Sequence, residues 1–204
     1  MLLQGEAGGN SKLKTENSKL NAIPAKARCY NPTVSNSHAA LAVYPGSFDP
    51  FHVGHVAIVD RATKIFPKVV VGILQNAGKD ALFGPEDRAE MISEIYSGND
   101  AVEVRSFSGL LVSFLQEVHA TIIIRGMRAV SDFEYEFQMA LMNRRLYPPV
   151  ETVFLTPGEE YLYLSSRLVR EVVALGGDVA GLVPDQVRVR LEERFRTTTH
   201  PPTR

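Results

Sequence analysis

From Leu41 onward, short apolar runs alternate with longer stretches of helical periodicity, and few folds satisfy that alternation. Leu41 to Tyr44, Lys68 to Leu74, Val102 to Ser106, Thr121 to Ile124 and Thr152 to Leu155 are rich in Val, Ile and aromatic residues and are predicted strands. Between them, His55 to Ile65, Pro85 to Tyr96, Leu110 to Val118 and Asp132 to Leu146 carry apolar residues at three- and four-residue spacing and are predicted helices. Pro85 followed by Glu86 and Asp87 marks a helix start, because proline lacks only a hydrogen that would be unpaired there and acids suit the positive end of the helix. Ser165 to Leu175 and Pro184 to Phe195 add two C-terminal helices. Repeated strand–helix–strand units imply a parallel sheet whose strands are buried on both faces, and the near-continuous apolar run V-V-V-G-I-L meets that requirement. The expected class is α/β, a doubly wound parallel five-stranded sheet with helices on both faces, plus the C-terminal helices. Ligands of such sheets bind beyond the carboxyl ends of the strands, so the residues that follow each strand are where chemistry belongs.

Residues 1–38 read differently. Gly, Ser, Asn and Lys dominate, Tyr30 is the only aromatic residue, and no periodicity is visible, so a disordered N-terminal extension is expected, with the folded domain at 39–196 and a frayed tail at 197–204. The extension has neither the apolar stretch of a secretory signal nor the Arg-rich amphipathic pattern of an organellar presequence. It carries five of the 22 basic residues and two of the 23 acidic ones, which leaves the rest of the chain mildly acidic at −4. With a net charge of −1 overall, no broad basic field exists for nucleic acid or an anionic membrane. The apolar runs are far shorter than a membrane span needs. Cys29 is the single cysteine, which excludes an internal disulfide framework and fits a reducing compartment, the cytoplasm by default.

Four strand ends carry polar chemistry. After the first stands Y-P-G-S-F-D-P-F-H-V-G-H, Tyr44 to His55, where Pro45, Gly46 and Pro50 shape a turn and Gly54 permits a close backbone approach. A helix beginning near Gly54 puts His55 in its first turn, where free N–H groups and the dipole favour an anion; His52 reads equally well as a structural group. The second strand leads to Q-N-A-G-K-D and Lys79, and the fourth to I-R-G-M-R, whose Arg125 and Arg128 offer planar forks to phosphate oxygens or, alternatively, pair with Asp132, Glu134 and Glu136. After the fifth, Ser165 and Ser166 stand where a helix should begin, as caps or as anion ligands. Convergence of these loops on one sheet edge predicts a phosphate site. No G-x-x-x-x-G-K-[ST], G-x-G-x-x-G or G-x-S-x-G pattern competes with it.

The block G-S-F-D-P-F-H-V-G-H, together with S-S-R-L-V-R, resembles the signature pair of the HIGH-type nucleotidyltransferases, and Ile124 to Glu136, I-R-G-M-R-A-V-S-D-F-E-Y-E, is similar to phosphopantetheine adenylyltransferases of the bacterial type. The resemblance covers about Leu41 to Phe195. It implies a Rossmann-like nucleotidyltransferase domain, adenylyl transfer from ATP to 4′-phosphopantetheine, a requirement for magnesium, and a homohexamer with neither nucleic acid nor membrane as partner. By position it implies catalytic roles for His55, Lys79 and Arg128. Ser47, Phe48, His55, Gly126, Met127, Arg128, Glu136, Tyr161, Leu162, Tyr163, Leu164, Ser165, Ser166 and Arg167 would bind ATP, and Ser47, Lys79, Leu111 and Arg125 would bind phosphopantetheine. No protein metal ligand is implied. Three positions depart from the family: Ser47 where threonine is common, Arg167 where a third serine is frequent, and Asp80 where a second lysine is frequent. The competing readings are a related transferase acting on nicotinamide mononucleotide or a polyol phosphate, and a non-catalytic nucleotide sensor. A nucleic-acid surface built on Arg144, Arg145, Arg188, Arg190, Arg194 and Arg196 fits poorly, because Glu192 and Glu193 intersperse the last of these.

Overall fold

The computed structural model describes residues 41–75 and 81–199. The expected extension at 1–38, Lys79, Asp80 and the last five residues lie outside the described residues. Five strands, β1 (Leu41–Gly46), β2 (Lys68–Leu74), β3 (Val102–Phe107), β4 (Ile122–Gly126) and β5 (Glu151–Leu155), alternate with α1 (Val53–Ala62), α2 (Pro85–Ile95), α3 (Leu111–Glu117) and α4 (Val130–Leu146). A short 3-10 turn at Glu159–Tyr161 and the helices α5 (Ser166–Ala174) and α6 (Asp185–Thr199) follow. The backbone of α6 runs to Thr199, three residues beyond the expected end of the domain.

All the strand pairings are parallel and the order is β3-β2-β1-β4-β5. The strand order therefore reverses between β1 and β4, which is where a doubly wound sheet opens a crevice at its carboxyl edge. Both flanking strands reach further toward that edge than their apolar runs suggest. Pro45 and Gly46 stay in register with Gly72 and Ile73, and Arg125 and Gly126 with Phe154 and Leu155.

The two-residue period of the strands divides the core. Ala42, Tyr44, Val69, Val71, Ile73 and Ile124 face a cluster completed by Ile58 and Val59 of α1, Met91 and Ile92 of α2, Val169 of α5 and Leu191 of α6. Val43, Val70 and Ile123 face the other way, onto Phe114, Leu115 and Val118. Phe114 stacks on Phe107 with ring centroids 4.4 Å apart. Helices thus cover both faces, as the apolar strands require. Helix α4 is the exception to burial, since Phe133, Tyr135, Phe137, Leu141, Met142 and Leu146 are all exposed. Among the described residues no helix is long and apolar enough to cross a membrane.

Leu115 is wholly buried and anchors α3 to the sheet. Leu115→Ala should cost about 2–5 kcal/mol through lost transfer energy and the residual cavity. Urea denaturation should show it as a lower midpoint at unchanged slope.

Candidate active site

The first helix is started by an unusual cap. His52 is the residue before α1, and its backbone N–H donates to Nδ1 of His55, three residues on, at 3.2 Å. Because Nδ1 accepts, the ring is neutral there and carries its proton on Nε2, which makes His55 a hydrogen-bond donor toward its surroundings. The two imidazoles stack with centroids 3.6 Å apart. Gly54 leaves the room for this arrangement, because a Cβ there would lie 3.0 Å from the His52 ring and 3.6 Å from Cβ of Tyr161. Phe48 stands edge-on to His55 at 5.1 Å and Phe51 lies 5.2 Å away.

The turn between β1 and α1 is strained and buttressed. Phe48 has φ of 49°, in the left-handed region that an aromatic residue rarely occupies. Its ring folds back over Gly46, where a Cβ would sit 2.7 Å from the ring carbons. Asp49 is buried, and its carboxylate accepts from the backbone N–H groups of Leu82 and Phe83 and from Nη1 of Arg170, all within 3.0 Å. Ser166 donates from Oγ to the Pro50 carbonyl at 2.8 Å, tying the start of α5 to the same loop. Ser165 caps α5 by accepting from the Leu168 N–H at 3.1 Å.

These elements enclose a cleft of about 300 Å³ at the β1/β4 edge, lined by Ser47, Phe48, His52, His55, Arg125, Gly126, Arg128, Glu136, Tyr161, Ser165 and Ser166 among others. A second cavity of about 330 Å³ adjoins it and is mostly apolar, with Leu74, Phe107, Leu110, Leu111, Met139 and Met142 in its wall. Pro45, Gly46, Arg125 and Glu136 border both. At that shared border Arg125 donates from Nε and Nη2 to the two oxygens of Glu136 and from Nη1 to the Pro45 carbonyl. Burial alone would lower the Arg125 pKa, and the Glu136 carboxylate outweighs it, so the guanidinium is held more firmly charged than usual. Arg128 donates from Nη1 to the Leu164 carbonyl at 2.9 Å and lies 3.4 Å from Asp132. Each of these arginines pairs with an acid, and each lines the cleft.

A family model described as cytidylyltransferase-like matches residues 43–172. A phosphopantetheine adenylyltransferase from Clostridium tetani is 54% identical over 147 residues, which span 72% of this chain and 92% of the relative. One from Desulfosudis oleivorans is 51% identical over 155 residues, 76% of this chain and 92% of the relative. The chain belongs to the phosphopantetheine adenylyltransferase family. A crystal structure of a candidate nicotinate-nucleotide adenylyltransferase from Vibrio parahaemolyticus superimposes with a TM-score of 0.59 over 78% of this chain and 95% of that one. At 15% identity that likeness speaks to the fold alone.

In this member of the phosphopantetheine adenylyltransferase family, the structure gathers Ser47, Phe48, His55, Arg125, Gly126, Arg128, Glu136, Tyr161, Ser165 and Ser166 into the cleft and puts Leu111 in the adjoining cavity. Other expected positions lie elsewhere. Arg167 follows the first residue of α5, is turned to solvent, and pairs with Glu171 one turn on, so its cation does not face the cleft. Leu162 and Tyr163 are exposed outside the cleft lining. Leu164 is wholly buried: it precedes the α5 cap and shares a core cluster with Val169 four positions into the helix, the arrangement of a hydrophobic staple, and only its carbonyl meets Arg128. Met127 continues the sheet, its N–H donating to the Leu155 carbonyl, and its side chain is outside the lining of both cavities.

The structure adds Tyr44 and Pro157 to the cleft wall, and Arg88 to the turn that carries Ser47. Tyr44 is buried beneath the cleft, and burial raises its hydroxyl pKa so that it stays a phenol. Arg88 shares the buried face of α2 with Met91 and Ile92, and that three- and four-residue spacing is the one signal that could have marked it.

Burial pushes the His52 pKa down to about 3, with the Arg128 charge adding to it. Burial likewise holds His55 well below the ordinary range, helped by His52 and Arg128. An unfolded histidine binds its proton near 6.5 and these folded ones do not. Stability is therefore complete above that pH and is lost as the pH falls toward the folded-state values, by about 1.4 kcal/mol per pH unit for each histidine. Denaturant titrations of the nucleotide-free protein between about pH 7 and pH 5 should show this decline, and His52→Asn should flatten it by one proton's worth. An unchanged pH slope in that variant would contradict the assignment.

Proposed function

We propose that this chain transfers the adenylyl group of ATP to 4′-phosphopantetheine, forming dephospho-CoA and pyrophosphate. The observation that carries the reading is the pair of adjoining cavities. One is polar and sits at the sheet's switch point, the other is mostly apolar, and they meet at Arg125 and Glu136. A nucleotide triphosphate suits the first, and a phosphate joined to a slim amide chain suits the second, its arm along Leu110, Leu111 and Met139 and its phosphate at the shared border.

In this reading an acceptor phosphate oxygen, already anionic near neutral pH, forms a bond to the α-phosphorus as the bond to the bridging oxygen breaks and pyrophosphate departs with that electron pair. No protein nucleophile is needed. The obstacle is repulsion between two polyanions and the charge that builds on the α-phosphoryl and leaving oxygens. His55, donating from Nε2, and Arg128 meet that charge; Ser47, Ser165 and the backbone around Gly126 hold the nucleotide; Arg125 and Lys79 hold the acceptor phosphate. Fixing both reactants in line supplies on the order of 7–11 kcal/mol in favourable cases.

Magnesium belongs to this reading as a companion of the nucleotide. Among the described residues no group of three His, Cys, Asp or Glu is placed to hold a metal ion, and Glu136, the carboxylate in the cleft wall, is engaged by Arg125. A site with one carboxylate beside a phosphate pocket fits an ion carried mainly by the phosphates and water. When bound, it supplies charge neutralisation on the triphosphate.

The exposed apolar side chains of α4, too many for a helix that faces water alone, support association with further copies of the chain, which the family resemblance makes a homohexamer. The single cysteine suits the reducing cytoplasm.

Pyrophosphate release should be measured with 4′-phosphopantetheine, nicotinamide mononucleotide and a polyol phosphate as acceptors, with and without magnesium. Turnover is expected with the first alone, and turnover confined to nicotinamide mononucleotide would overturn the reading. His55→Ala should lower kcat by about a hundredfold to a thousandfold while the KM for ATP moves less than about threefold. Unchanged turnover in that variant would remove His55 from the mechanism.

A further inference from the structure

Arg88 lies in α2, outside the lining of both cavities, and is 4% exposed. Among the described residues no carboxylate pairs with its guanidinium. Instead Nε donates to the Gly84 carbonyl at 3.1 Å and Nη1 to the Ser47 carbonyl at 2.5 Å, across 41 residues of sequence. A cation buried against neutral carbonyls is costly, and an aliphatic side chain would fill the same space without desolvating a charge.

What the guanidinium grips gives that cost a purpose. The Ser47 carbonyl belongs to the peptide from which the φ of Phe48 is measured, and that φ is the strained 49°. A left-handed aromatic residue persists only where its surroundings over-determine it. Arg88 pins the peptide on one side of Phe48. On the other, the Asp49 carboxylate takes the N–H groups of Leu82 and Phe83 and the Arg170 guanidinium. Held in this way, the Phe48 ring stands at 87° to His55 with centroids 5.1 Å apart, and Ser47 is delivered to the cleft.

We propose that Arg88 is a positioning residue for adenylyl transfer, fixing the Ser47–Phe48 peptide so that Phe48 supports the His55 imidazole and Ser47 faces the nucleotide. It touches neither reactant and acts through those two residues. The proposal rests on the adenylyl-transfer reading of the cleft.

The test uses Arg88→Lys, which keeps the charge but has no fork to span two carbonyls, and Arg88→Gln, which keeps a donor without the charge. Each is made in the full chain and again in a His55→Ala background. In the otherwise native chain, kcat should fall roughly tenfold to a hundredfold with a cooperative melt retained above the assay temperature. In the His55→Ala background the same substitution should change kcat by less than about twofold, because the imidazole that Phe48 supports is gone and the contribution of Ser47 is read as ATP affinity in both backgrounds. Native kcat in a folded variant, or an equal loss in both backgrounds, would overturn the proposal. So would loss of the cooperative melt in both variants, which would make Arg88 a determinant of folding instead. Absence of any transfer by the unmodified chain would sink the adenylyl-transfer reading separately. Calorimetry with ATP then decides for Arg88: a roughly tenfold weaker affinity in Arg88→Lys supports it and an unchanged affinity overturns it.

Discussion

Between β1 and β4 the strand order of the sheet reverses, so the two connections leave neighbouring strands for different helices and part as they go. Backbone hydrogen bonding holds the strands side by side only up to that edge, and beyond it the diverging loops enclose a cleft. Much of the polar chemistry among the described residues borders this gap. The β1 loop brings Ser47, Phe48 and His55, the end of β4 brings Arg125 and Gly126, and the segment after β5 closes the far side with Tyr161, Ser165 and Ser166. The apolar interior matters to the site mainly because it keeps these strand ends in register.

The cleft is less positive than its arginines suggest. Arg125 is bound by Glu136 and Arg128 lies beside Asp132, so the arginines that line it are partly neutralised by acids of α4. A polyanion arriving there competes with carboxylates for guanidinium hydrogens. Paired arginines also keep their shape in the absence of ligand, which spares the side-chain ordering that a free cation would need on binding. His55 follows the same logic by other means, since its ring is fixed by a backbone donor, a stacked neighbour, an edge-on Phe48 and a tilted Phe51, and faces the cleft as a neutral donor.

Much of this architecture was legible in the sequence because strands buried on both faces must be apolar almost throughout, and such runs stand out. The element ends were less legible. Apolar character stops at Tyr44 and Ile124, yet parallel pairing carries β1 through Gly46 and β4 through Gly126, because a neighbouring strand goes on offering partners. The site was visible where its residues sit next to strand ends. The block from Tyr161 to Arg167 is less legible, because the backbone turns through a 3-10 segment into a helix and consecutive side chains point to cleft, solvent and core in turn. Contacts that skip 41 residues, such as Arg88 to Ser47, leave no spacing pattern to read.

The ion pair of Arg125 and Glu136 forms part of the wall of both cavities at once. A partition shared by two chambers cannot be remodelled for one tenant without disturbing the other. If the two cavities take the two substrates as proposed, acceptor choice is retuned farther out, at Leu110 or Met142, where the wall belongs to one chamber alone, and an inhibitor that straddles the partition contends with both through a single anchor.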